Sequence, residues 1–158
     1  MMSKQTIEPV TSPDSIPIRF AAGCNGHNAD KIAALFDKGA EFVNVVGIWW
    51  HNREDIRKAH DYGFIVIFKN SELSVGKTVV KYLSDSIAVV HVRMRLKEQS
   101  ELKGKKPGNR YTIFSFVVHE TGGEWSCVSA HNTDIVPGKE THFINAEGEL
   151  EAVDNREN

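Results

Sequence analysis

Residues whose types could carry chemistry gather in one stretch, "EFVNVVGIWWHNREDIRKAHDYGFIVIF", residues 41 to 68. It opens with strand character, passes through Trp49 and Trp50, and changes to a helical rhythm with His60 on the apolar side. A histidine titrates near neutrality, so His60 in a cavity could act as general acid or base. On the inward side of a helix it can also be a hydrogen-bonded core residue. Adjacent tryptophans face opposite sides of a continuing strand, so one could line a cavity while the other covers its rim or packs elsewhere, and two core tryptophans fit the sequence equally well. Asn44 stands mid-strand among apolar residues and needs a hydrogen-bond partner if buried. Near the other end, "SAHNTDIVPG" puts His131, Asn132 and Thr133 at the close of a strand. Asn132 and Thr133 could hold a ligand oxygen or only satisfy local backbone.

Other motifs fail on spacing. "SVGKT" resembles a phosphate loop, but Ser71 stands where the first glycine belongs and the segment reads as a strand. HExxH, CxxC and GxSxG are absent, and the seven histidines show no zinc spacing. No redox-cofactor motif is visible, so neither cofactor nor metal is expected. The basic run "KGKKPGNR", residues 103 to 110, could meet an anion, but as a solvated hairpin tip it needs no partner.

The elements that must position these residues follow from periodicity. A first helix starts near Pro17. "NGHNAD" supplies a cap at Asn28 or Asp30, and Ile32, Leu35 and Phe36 form the stripe of a second helix ending at Gly39. A strand over 41 to 48 comes next. A third helix opens at "HNRED", with Ile56, Ala59, His60, Gly63 and Ile67 on one face. Four strands complete the chain, "LSVGKTVVKYL", "SIAVVHVRMRL", "RYTIFSFVVHE" and "EWSCVSAHNTDIV", joined as an antiparallel meander. The class is α+β, with helices on one face of a curved antiparallel sheet. In the second of these strands, Ala88, Val90, Val92, Met94 and Leu96 face one way, while His91, Arg93 and Arg95 face the other. Strand 110 to 120 is apolar on both faces, which predicts that a second copy covers its outer side and makes a homodimer.

The 158 residues are read as one domain over 16–140, between a flexible N-terminal segment, 1–15, and an acidic flexible tail, 141–158. The last thirteen residues hold five acids against one arginine. Lysine and arginine number 19 against 21 acids, a net charge of −2, so neither nucleic acid nor a membrane surface is expected as partner. No apolar run is long enough to span a bilayer. Cys24 and Cys127 read as free thiols, which fits the cytoplasm.

Taken together, "GHNADKIAALFDKGAEFVNVVGIWW", "REDIRKAH", "AVVHVRMRL" and "SAHNTDIVPG" resemble the nuclear transport factor 2-like superfamily, and within it the SnoaL-like and SgcJ/EcaC-type proteins, from about Pro17 to Pro137. The resemblance implies a cone-shaped, cystatin-like barrel whose helices pack on the concave face of a mainly antiparallel sheet. It implies a homodimer with a pocket between helices and sheet, and relatives that are isomerases, dehydratases, polyketide cyclases or non-catalytic binding modules. The activity expected is binding of a small apolar or aromatic metabolite, with proton transfer or cyclisation on a polyketide-like compound as its catalytic form. His60 is then the acid or base, and Asn44, Trp49, Trp50, Phe64, Arg93, His131 and Asn132 are the ligand-binding set. Enzymes of this superfamily typically place an acidic base in the pocket. Asp55 and Asp61 do not match it, since both fall beside the helix's apolar stripe.

Overall fold

The computed structural model describes residues 7 to 157. Helix α1 (Ser15–Asn25) buries Ile16, Phe20 and Ala21. It meets helix α2 (Ala29–Ala33) so closely that a Cβ on Gly23 would stand 2.8 Å from Ile32 Cγ1. Asn28 caps α2, its side-chain oxygen accepting from Lys31 N at 3.0 Å.

The second helix is shorter than the periodicity predicts. Leu35 and Phe36 continue the helical stripe, but Leu35 O accepts from Cys127 N at 2.7 Å, and Phe36 begins strand β1 (Phe36–Val43). The sheet ladder overrides the local preference, so the strand starts five residues earlier than expected. It also ends earlier. Asn44 is not mid-strand: its Oδ1 accepts from Val46 N and Ile48 N, closing a turn into strand β2 (Trp49–Trp50). Gly47 supplies the positive φ, +83°, that this turn needs.

Helix α3 (Arg53–Val66) is capped by Asn52, which accepts from Asp55 N at 2.8 Å. It turns Ile56, His60, Gly63 and Phe64 inward, while Ile67, expected on that face, lies past the helix end and is exposed. The meander follows as β3 (Glu72–Ser84), β4 (Ile87–Lys97), β5 (Arg110–Thr121) and β6 (Glu124–Asp134). The curved six-stranded sheet runs β2-β1-β6-β5-β4-β3, with only the β1–β6 pairing parallel. It is open, with β2 and β3 at its edges. The core lies between helices and inner face, where Ala88, Val90, Val92 and Met94 meet Phe114, Phe116 and Val118.

Both chain ends carry local structure. In the N-terminal part, residues 1 to 6 lie outside the described residues, but Val10 is buried and its carbonyl accepts from Trp125 N at 2.8 Å. One apolar residue among prolines gives no periodicity to read, yet it docks. Residues 141–158 include a hairpin, β7 (Thr141–Ile144) against β8 (Leu150–Val153), closed by Asn145 around a turn at Gly148. Phe143, Ile144 and Leu150 are exposed on it. Among the described residues no helix is long and apolar enough to cross a membrane.

Candidate functional site

A cavity of about 130 Å³ lies between α1, α3 and the inner sheet face. One end is made of rings. Phe20 from α1, Phe42 from β1, Trp50 from β2, Phe64 from α3 and Phe114 from β5 all line it. His60 sits among them, its centroid 5.6 to 6.3 Å from those of Phe20, Phe42, Trp50 and Phe64.

The His60 tautomer follows from its partner. Nδ1 lies 2.8 Å from Ile56 O, and a carbonyl can only accept, so Nδ1 carries the proton. Nε2 is left with a lone pair. Burial lowers the imidazole pKa, against a smaller opposing effect of the Ile56 bond, so the ring is neutral at physiological pH. This arrangement can accept a hydrogen bond or a proton from a ligand.

The other end is polar because three neighbouring strands turn polar together. Asn44 follows β1, and the parallel register that sets Val43 beside His131 puts Asn44 next to Asn132. Asn132 stands opposite Phe114, and Thr112 opposite Asp134. Thr112 Oγ1 donates to Thr133 O at 2.7 Å, and Arg110 Nε donates to Asp134 Oδ1 at 2.7 Å. Asn132 Oδ1 is buried with no hydrogen-bond partner among the described residues. An acceptor left in that state is costly unless something donates to it.

Of the residues picked out by sequence, His60, Asn44, Trp50, Phe64 and Asn132 line this cavity. Three do not. Trp49 is 59% exposed and turned the other way, its Nε1 donating to Glu41 Oε2, which also accepts from His51 Nδ1 at 2.9 Å. The strand alternation that brings Trp50 in sends Trp49 out. Arg93 and His131 are exposed on the outer sheet face, Arg93 opposite Ile113 and His131 opposite Ser115. Their parity is that of His91, not of Val92.

Sequence reasoning misses Arg110, Thr112, Phe114, Phe20 and Cys24, which also line the cavity. Cys24 does so as an apolar surface: burial pushes its thiol up to about 12, so it stays protonated. Among the described lining residues none is a carboxylate. Asp55 bonds the capping Asn52, and Asp61 is exposed. A second polar cluster joins Asp37 to His119 Nε2, at 2.8 Å, and to Ser126 Oγ. The carboxylate stands between hydroxyl and imidazole, so this is no activated serine. Among the described residues no three His, Cys, Asp or Glu side chains gather in a metal-holding arrangement.

No family model matches the chain, and no curated protein is significantly similar to it in sequence. Solved structures do match. An uncharacterised protein with a cystatin-like fold from Caulobacter vibrioides superposes with a TM-score of 0.72 at 21% identity, over 78% of this chain and 87% of that one. A ketosteroid isomerase-like protein from Erwinia carotovora atroseptica gives 0.65 at 10% identity, over 78% and 94%. An NTF-2-like protein of unknown function from Shewanella oneidensis gives 0.61 at 18%, over 77% and 95%. The fold is therefore the cystatin-like fold of nuclear transport factor 2-like proteins.

Proposed function

We propose that the cavity binds a small, ring-bearing metabolite and that His60 exchanges a proton with it. The carrying observation is one apolar chamber that holds both a neutral histidine with its Nε2 lone pair unspent and an unpartnered acceptor, Asn132 Oδ1. A cavity near 130 Å³ suits one six-membered ring, since cavities of about 150 Å³ hold benzene. A multi-ring polyketide would overfill it. Trp50 and Phe114 supply the ring-stacking walls.

In the catalytic form of this reading, His60 Nε2 takes a proton from a ligand carbon or hydroxyl. The imidazolium so formed is destabilised by burial, which drives the proton back to a second ligand atom. The net change is a proton shift, as in an isomerisation, with no electrons gained or lost. Likeness to a ketosteroid isomerase-like protein supports this class of step, although the cavity here offers a histidine and no carboxylate. The absence of that carboxylate favours a second reading, a binding module without turnover, in which His60 only accepts a hydrogen bond from the ligand.

Homodimerisation belongs to the same proposal. Val89, Ile113 and Val117 are half-buried on the outer sheet face, with Val79 and Tyr111 exposed beside them. A second copy would cover them. Two unpaired thiols support cytoplasmic residence, and the SgcJ/EcaC-type placement rests on the four segments quoted above.

Binding is tested by ligand-observed NMR with benzyl alcohol on wild type and on Leu96→Trp, which fills the cavity from β4. Saturation transfer in wild type that disappears in a folded Leu96→Trp variant is expected. Equal transfer in both would place the ligand elsewhere and end the proposal.

A further inference from the structure

We infer that the ligand of this cavity is a ring-bearing α-hydroxy acid, held with its carboxylate on Arg110 and its hydroxyl donating to Asn132 Oδ1. This rests on the pocket reading and adds the ligand's chemical class.

Arg110 is the one formally charged side chain among the described residues lining the cavity. It shares the inner face of β5 with Thr112 and Phe114, two and four residues on. Its Nε is committed to Asp134, which fixes the guanidinium plane. The Nη1–Nη2 edge makes no hydrogen bond among the described residues, and that edge is the fork that grips a carboxylate with two parallel bonds. The Asp134 carboxylate on Nε offsets part of the guanidinium charge, and no carboxylate lines the cavity itself.

Asn132 sets the second requirement. Its buried Oδ1 can only accept, so a carboxylate cannot satisfy it. Arg110 Nε reaches the Asp134 carboxylate, and Asp134 stands two residues past Asn132 on the same face of β6. The guanidinium thus lies one same-face step, roughly 7 Å, from the Asn132 rung, and the ligand must present an acceptor pair and a donor close together. A hydroxyl on the carbon next to the carboxylate meets both needs. An amino group would also donate, but as an ammonium it brings a further charge that must be desolvated against the apolar walls, whereas a hydroxyl brings none. The ring then occupies the end lined by Phe20, Phe42, Trp50 and Phe114.

The probes are mandelate, its neutral amide mandelamide, and phenylacetate, which lacks the hydroxyl. Each is titrated calorimetrically into wild type, Arg110→Gln and Arg110→Lys. Mandelate is expected to bind at least about tenfold tighter than mandelamide or phenylacetate. Arg110→Gln should bring mandelate down to the level of mandelamide and weaken mandelamide far less, because a neutral amide oxygen loses only a neutral-acceptor bond. A native circular dichroism spectrum shows that the variant is folded. Arg110→Lys keeps the charge without the fork and should fall between. If mandelamide matches mandelate in wild type, or if Arg110→Gln loses both ligands while keeping a native circular dichroism spectrum, the carboxylate reading is wrong and the pocket reading stands. If none of these probes nor benzyl alcohol binds, both readings fall together.

Discussion

His60 Nδ1 lies 2.8 Å from the carbonyl oxygen of Ile56, one turn earlier on α3. That bond fixes the ring's tautomer and its place among four aromatic side chains, and it makes pH the first lever on the molecule. Burial lowers the folded pKa beneath the ordinary 6.5, so below that pH the unfolded chain takes up a proton that the folded chain refuses. Stability is therefore retained above 6.5 and lost as pH falls from 6.5 to the folded value. Melting temperatures at pH 7.5 and 5.5 should show a larger acid loss in wild type than in His60→Gln. At pH 7.5 the substitution itself should cost less than about 1 kcal/mol, because glutamine keeps polarity and approximate size. Equal acid losses in the two proteins would contradict a neutral, buried His60.

Asn132 offers a separation of stability from binding. Its Oδ1 is buried and unpartnered, so replacing the amide by a similar apolar volume removes a desolvation cost. Asn132→Leu should leave stability unchanged or raise it by about 1 kcal/mol in urea unfolding, while ligand affinity drops at least about tenfold. A loss of more than about 1 kcal/mol would show that the amide holds the fold.

The two chain ends should behave differently on truncation. Val10 is buried and bonded through its carbonyl to Trp125 N, so removing residues 1 to 12 should lower the melting temperature by more than about 5 °C. Val10→Ala alone should cost roughly 1 to 2 kcal/mol. Removing residues 140 to 158, whose hairpin strands are largely exposed, should change it little. Differential scanning calorimetry of the two truncations decides this.

Light scattering at micromolar concentration should give about twice the chain mass of 17.7 kDa. Ile113→Lys, on the outer face, should convert the protein to a folded monomer. A wild-type monomer would contradict the dimer.

How much of this was legible in the sequence depends on parity and length. The α3 cap at Asn52 and its inward stripe are written in local chemistry, as is the alternation of β4. The start of β1 is not, because Ile32, Leu35 and Phe36 fit a helical period and only pairing with β6 turns Phe36 into a strand. Arg93 was open to reading on either face until the core side of β4 was known. Arg110 is harder still: β5 is apolar on both faces, so nothing local tells that 110, 112 and 114 face the cavity. Its arginine also looks like the end of a solvated basic loop. Asn44 misleads in the other direction, since its oxygen is spent on turn amides that only the folded β1–β2 corner creates.

The proposed function requires a ligand in the chamber bounded by His60, Trp50 and Asn132. A crystal soaked in saturating benzyl alcohol tests it most directly. One ring of density is expected between Trp50 and Phe114, with the hydroxyl within hydrogen-bond reach of His60 Nε2 or Asn132 Oδ1. An empty chamber at saturation, or ligand found only on the outer sheet face, would contradict it.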